Sequence, residues 1–277
     1  MDIIARPFGV LMEFIYNNLA FQNYGIAIII FTIIMKILLV PLQIKQQRST
    51  IKQQEMQPEL EELKRTYAND RNKLAEEQQK LYAKYNVSMT AGCLPMLIQF
   101  PLLIGLYEVI RRPLTYISGL SAETIAKFAE NVPGAVSGNV VNELVVNGAL
   151  TAKDGAINMN FLKVFDLGIT PDWKVWSWGA DWKVFLPLFF IPVLSFASAM
   201  LMQYATTSKM RKEQKANGQK QGGTANLLLK LMPLMSLFIA FAVPAGLGFY
   251  WTISNVLSLV QTVLINKIFA KQKERLL

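Results

Sequence analysis

The chain has 277 residues, 52% of them hydrophobic and only 17% charged, with a net charge of +9. Its apolar residues gather in blocks of about 20, the length a membrane-crossing helix needs and more than buried helices of soluble domains usually have. No histidine and a single cysteine, Cys93, exclude a histidine triad, a histidine metal site and an intrachain disulfide. No phosphate loop of the G-x-x-x-x-G-K-S/T form occurs, and neither cofactor nor enzymatic activity is expected.

In chain order, residues 1–21 predict a short amphipathic helix lying on the outer membrane surface. Pro7 suits a first helical position, and Phe8, Leu11, Met12, Ile15 and Leu19 share one stripe. The segment lacks the basic start and small-residue cleavage site of a secretory signal, so its removal is not expected. Residues 22–42 form the first predicted span and contain FTIIMKILLVPL. Residues 43–93 read as a helical hairpin. Gln57-Pro58 followed by Glu59, Glu61 and Glu62 has the form of a helix start, with proline first and acids at the positive end of the dipole. Leu60, Leu63 and Tyr67 line one arm, and Leu74, Leu81 and Tyr85 the other. Glu61 with Arg65, and Glu76 with Lys80, are i,i+4 ion pairs.

A second span is predicted over 94–116, then an external loop over 117–182. That loop ends in Trp173, Trp176, Trp178 and Trp182, which read as anchors at the lipid–water boundary. The third span is 183–203, followed by a basic loop over 204–226 with the flexible linker KANGQKQGGTAN. Spans four and five are 227–243 and 247–268, and 269–277 is a tail. The fold class is therefore an all-α polytopic membrane protein with five transmembrane helices, an N-terminal amphipathic helix and a helical hairpin.

Basic residues set the orientation. Nine lie in 43–93, five in 204–226 and three in the tail, so these segments hold 17 of the 28 Lys and Arg. The opposite face has Arg6 on the N-terminal arm and Lys127, Lys153, Lys163 and Lys174 across the long loop. Positive residues mark the cytoplasmic side, which predicts the N-terminus outside, the C-terminus inside, and the hairpin and basic loop in the cytoplasm.

Lys36 is the residue that needs a reason. A cation near the centre of a spanning helix costs roughly 2.5–3.5 kcal/mol. It lies about 10 Å from the cytoplasmic end of its span, so its stem could snorkel toward water. Polar company in other spans points to a second fate: Gln99, Gln203, Ser254, Asn255 and Gln261 all sit in apolar sequence. Together with the cation they suggest a shared hydrated cavity open to the cytoplasm, which would lower the cost of bringing polar chain into the bilayer.

Three segments carry a family resemblance: QPELEELKRTYANDRNKLAEEQQKLYAKYNV, GCLPMLIQFPLLIGLYEVI and LMPLMSLFIAFAVPAGLGFYWTISNVLSLVQ, with FLKVFDLGITPD ahead of the third span. Over nearly its whole length the chain resembles the YidC family of membrane protein insertases, in the short bacterial form. The resemblance implies five spans around a hydrophilic groove that is closed outside and open to the cytoplasm and to lipid. It places Lys36 where the family usually has arginine, and Gln203 and Trp251 at other groove-lining positions; Gln99 and Asn255 are the remaining candidate contacts. It implies nascent membrane proteins as clients in the plasma membrane, with the ribosome and the Sec translocon as partners and the lipid bilayer as the medium. It also implies transfer of a short hydrophilic client region into the groove, while the client's apolar segment slides into lipid. The opening segment has no lipoprotein cysteine, so a lipid anchor is not assumed. Two other readings compete: a small-solute transporter with Lys36 as its anion-binding group, and a membrane assembly scaffold in which the Lys36 charge is dispensable. The chain shows no internal duplication of the kind inverted-repeat transporters carry.

Overall fold

The computed structural model describes residues 2–88, 94–137, 140–216 and 224–274. Cys93, the flexible linker at 217–223 and the end of the tail at 275–277 lie outside the described residues. The chain is mostly helical. In order it forms α1 (Asp2–Asn18), α2 (Tyr24–Thr66), α3 (Arg71–Lys84), α4 (Leu94–Arg111), α5 (Pro113–Tyr116) and α6 (Ala122–Glu130). A two-stranded pair β1 (Val136–Ser137) and β2 (Val140–Val141), α7 (Glu143–Ala149), and a second pair β3 (Asn160–Phe161) and β4 (Phe165–Asp166) follow. The long helices α8 (Trp182–Ala216), α9 (Thr224–Ala242) and α10 (Ala245–Glu274) complete it. Among the described residues, three helical stretches are long and apolar enough to cross a membrane: Tyr24–Gln53, Gly179–Ser208 and Ala245–Asn266.

Two compact units divide the chain. The first comprises Met1–Ile37 and Pro101–Gln261. Its core gathers Phe31 and Ile28 of α2, Leu106 and Ile110 of α4, Leu188 of α8, Tyr250 of α10, and Leu167 from the loop before α8. Large apolar side chains on the outer faces of the same helices stay exposed: Ile33 and Ile37 on α2, Phe190 and Leu194 on α8, Phe238 on α9, Val256 and Val260 on α10. An apolar exterior around an apolar interior is what hydrocarbon surroundings select.

The predicted stripe on α1 divides. Met12 and Ile15 are buried against protein, Phe8 and Leu11 are half-buried, and Leu19 is exposed. The helix docks through small residues and one polar end. Phe8 fills the space over Gly105 of α4, Gly9 meets the Tyr116 ring, and the Tyr116 hydroxyl donates to Asp2 at 2.6 Å. Phe8 and Phe31 meet edge to face at 5.9 Å. Pro7 lies inside α1, whose first residue is Asp2, and not at its start.

The segment between α4 and α8 builds a small module with its own core of Leu114, Ile125, Ala129, Ala135 and Val146. Glu143 is buried in it and accepts from the Thr115 amide at 2.9 Å, the Thr115 hydroxyl at 2.6 Å and Arg112 Nε at 3.2 Å. This satisfies a carboxylate that burial would otherwise make costly. The four tryptophans do not act alike. Trp173, Trp176 and Trp182 are exposed, but Trp178 is buried against Phe185 and Phe189. Trp178 is therefore a packing residue rather than a boundary anchor.

This segment also holds the first residues of two long helices. Asn23 caps α2 by accepting from the Ile26 amide at 3.1 Å, and its side chain donates to the Asn160 carbonyl at 2.9 Å. The Tyr24 amide donates to the Asn158 carbonyl at 3.0 Å. At α10, the Ala245 and Gly246 amides donate to the Ile169 and Leu167 carbonyls at 2.9 and 2.8 Å. Helix starts leave amides without intrahelical partners, and here neighbouring loop carbonyls supply them.

The second unit comprises Leu38–Phe100 and Thr262–Leu277. Its hairpin pairs the later part of α2 with α3 through buried Met56, Leu60 and Leu81, flanked by Leu63, Tyr82 and Tyr85. The helix start expected at Gln57-Pro58 is not one: α2 continues without a break through Pro41 and Pro58 to Thr66. An interior proline costs a helix about 3 kcal/mol. Met56 and Leu60 on either side of Pro58 are both buried, so packing on Leu81 keeps the helix continuous. Asp70 caps α3 by accepting from the Lys73 amide at 3.0 Å. The predicted Glu76–Lys80 pair forms at 2.7 Å, and Glu59 joins the two arms by accepting from Lys84 at 2.7 Å and from the Tyr85 hydroxyl at 2.5 Å.

Two tests follow from this packing. A Cβ on Gly25 would stand 2.6 Å from Phe161 Cγ, whereas one on exposed Gly148 meets nothing within 4 Å. Gly25→Ala should therefore destabilise by about 1–3 kcal/mol. Gly148→Ala should stabilise by about 0.5–1 kcal/mol, both read as thermal midpoints in detergent. In the hairpin, the hydrogen bond from Lys84, aided by Tyr85, holds the Glu59 carboxyl below its ordinary value of 4.5. A carboxyl depressed on folding stabilises at pH above that ordinary value, and the contribution disappears as pH falls through the folded value. The protection factors of α3 amides in the full chain, each taken against the intrinsic exchange rate at the same pH, should fall between neutral pH and pH 3, and Glu59→Gln should make that fall smaller.

Candidate functional site

Lys36 lies on α2 twelve residues after Tyr24, and Ser258 lies on α10 twelve residues after Gly246. At 1.5 Å per residue, each is about 18 Å along its helix from a start tied to the same loop. They meet: Lys36 Nζ donates to Ser258 Oγ at 2.6 Å. One turn further along α10, Gln261 Nε2 donates to the Lys36 carbonyl at 3.1 Å. The ammonium is thus half-buried and held by a neighbouring helix rather than stretched away from it.

A second polar pair lies about one turn earlier on α10, where Asn255 Nδ2 donates to Ser198 Oγ of α8 at 3.1 Å. Ser254 and Ser195 are buried beside these residues in sequence. Trp251, Asn255 and Ser258 recur at i, i+4 and i+7, so they share one face of α10. Trp251 is half-buried there. Gln203 is half-buried on α8, where the Thr206 and Thr207 hydroxyls donate to its carbonyl at 3.0 and 2.8 Å. Gln99 is half-buried on α4 within the second unit, and its part in the site stays a proposal.

Of the residues singled out in the sequence, Gln261 is joined to Lys36 through the Lys36 carbonyl, and Asn255 is linked to α8. Ser258 and Ser198 were missed. Serine in an apolar helix is common enough to pass as filler, since its hydroxyl can bond to its own helix. The available signal was spacing: Ser258 falls midway on the stripe from Trp251 through Asn255, three residues before Gln261. Among the described residues, no group of three or more acidic or cysteine side chains is placed to hold a metal ion. The site offers hydrogen-bond donors and a positive charge, so it can bind acceptors.

Comparison with known proteins agrees with this setting. A profile of the family described as 60Kd inner membrane protein matches residues 14–273. A protein from Clostridium tetani named Membrane protein insertase YidC is 30% identical over 272 residues, 98% of this chain and 94% of the relative. Proteins of the same name from Maridesulfovibrio salexigens and Campylobacter jejuni are 30% and 26% identical, over 94% and 98% of this chain. The chain spans only 37% and 39% of the length of those two relatives. With its spanning helices and a match over most of its length, the chain is a bacterial membrane protein and belongs to the 60Kd inner membrane protein family.

Proposed function

We propose that this protein is a membrane protein insertase. It accepts hydrophilic parts of nascent membrane proteins beside Lys36 and releases their apolar segments into lipid. The observation that carries the reading is a cation in an apolar helix, held at 2.6 Å by a second apolar helix. A charge so placed marks a pathway or substrate site by default. The shared name of the relatives supports the same function.

On this reading α2, α4, α8, α9 and α10 are the five spans, with the N-terminus outside and the C-terminus in the cytoplasm. The α4–α8 module lies outside, and the α2–α3 hairpin is a cytoplasmic arm for client recruitment. The α1 helix lies on the outer surface, with Ile3, Val10 and Phe14 toward lipid; all three are exposed and recur at helical spacing. Gln203, Trp251, Gln99 and Asn255 line the path with Lys36, which opens to the cytoplasm. The basic residues around 204–226 and the tail contact ribosomal RNA by charge neutralisation, and the Sec translocon is a working partner. An incoming acidic residue is drawn by the ammonium, and burial of the client's apolar segment in lipid supplies the driving free energy. No covalent step is needed.

Reconstituted vesicles and a single-span client with an acidic translocated segment test the reading. Lys36→Ala should lower insertion about tenfold, the worth of one lost charge-assisted hydrogen bond, and Lys36→Arg should retain it. Undiminished insertion by the alanine variant would refute the role of the charge. Deleting Pro58–Val87 should weaken client recruitment while leaving the protein in the membrane; its disappearance from the membrane would instead make the arm structural.

A further inference from the structure

We propose that Lys36 and Ser258 together form a two-donor receptor for one carboxylate of an Asp or Glu side chain in the client's translocated segment. Gln261 acts as the residue that positions it. The inference rests on the insertase reading and names which client groups the site selects.

An ammonium is a point charge on a flexible stem and lacks a planar pair of donors matched to the two carboxylate oxygens. The structure provides a second donor beside it. Lys36 Nζ gives a hydrogen to Ser258 Oγ at 2.6 Å, so the serine oxygen accepts and its own O–H proton remains to be placed. Most hydroxyls in these helices spend that proton on their own backbone. Thr32 donates to the Ile28 carbonyl, Thr206 and Thr207 to Gln203, Ser236 to Pro233 and Thr252 to Gly248. Among the described residues, Ser258 makes no such bond. Its hydroxyl is therefore available to donate at a spacing from Nζ comparable to that of two carboxylate oxygens.

The supporting contacts fix this pair. Gln261 Nε2 clamps the Lys36 carbonyl at 3.1 Å, which locks the α2 backbone against α10 at the level of the two donors. The pair lies between two apolar helices, where Lys36 and Ser258 are both half-buried. In such surroundings hydrogen bonds strengthen, and charge-assisted ones most of all. In the resting protein Ser258 satisfies part of the ammonium; an arriving carboxylate takes bonds from both groups without stranding either.

The test compares initial insertion rates in reconstituted vesicles for two single-span clients, one with an aspartate in the translocated segment and one with asparagine there. Ser258→Ala should reduce insertion of the aspartate client about tenfold and leave the asparagine client unchanged. Ser258→Thr, which keeps the hydroxyl, should retain the rate. In a Lys36→Arg background the guanidinium supplies both donors, so adding Ser258→Ala should have no effect. Equal losses with both clients, or in both backgrounds, would reduce Ser258 to a packing residue and overturn the proposal. So would full activity of Ser258→Ala where Lys36→Ala is impaired. Full activity of Lys36→Ala would instead sink the insertase reading beneath it. Matching thermal midpoints of the serine variants and the parent separate loss of a donor from loss of fold.

Discussion

Backbone amides at the starts of α2 and α10 find their acceptors in one short stretch of loop, residues 158–169. Asn158 and Asn160 receive hydrogen bonds from Tyr24 and Asn23, and Leu167 and Ile169 receive them from Gly246 and Ala245. Tyr24, Ala245 and Gly246 are buried, and a buried amide left without an acceptor costs about 1–3 kcal/mol, so these bonds are hard to exchange for anything else. They fix the axial register of two helices whose polar residues must meet about 18 Å further down. The β3–β4 hairpin that presents this loop, and Phe161 lying over Gly25, are the hardware of that register.

Below the tie, polar groups are handled in two ways. Hydroxyls on Thr32, Thr206, Thr207, Ser236 and Thr252 turn back onto their own helices, which keeps each helix self-sufficient in an apolar medium. Lys36, Gln261 and Asn255 instead donate across helices, to Ser258, to the Lys36 carbonyl and to Ser198, whose own hydroxyl donates to the Ser195 carbonyl at 2.8 Å. Cross-helix bonds join α2 to α10 and α10 to α8, so α10 is the shared member. The buried Oε1 of Gln261 and Oγ of Ser195 have no partner among the described residues. Unsatisfied acceptors of this kind are costly in a closed core and far less so where water or a client's donors can enter.

The amino-acid sequence announces the long apolar helices, the hairpin stripes and the importance of Lys36, because each depends on local composition. Leu60 and Leu81 do pack together, and Glu76 does pair with Lys80. Proline punctuation misled. Pro58 and Pro7 carry the chemistry of helix starts, yet both sit inside helices because flanking side chains are buried strongly enough to override the broken hydrogen bond. Met12 and Ile15 looked like a lipid face and turned out to pack on protein, since α1 is apolar on more than one side and only tertiary contacts choose between them. Trp178 was indistinguishable from its exposed neighbours for the same reason. Ser258 was invisible because its partner lies 222 positions away. The cap at Asn23 and the loop carbonyls at 158–169 were equally unreadable, being backbone groups that any residue carries.

The equal count of residues from loop tie to Lys36 and from loop tie to Ser258 makes the site a matter of helical phase. One residue added to or removed from either stretch would turn its polar group about 100° around the helix while shifting it only 1.5 Å along it. Depth would hardly change, but azimuth would, and the ammonium would swing from its serine toward acyl chains. Length between Tyr24 and Lys36 thus governs the Lys36–Ser258 contact as much as the identity of either side chain does.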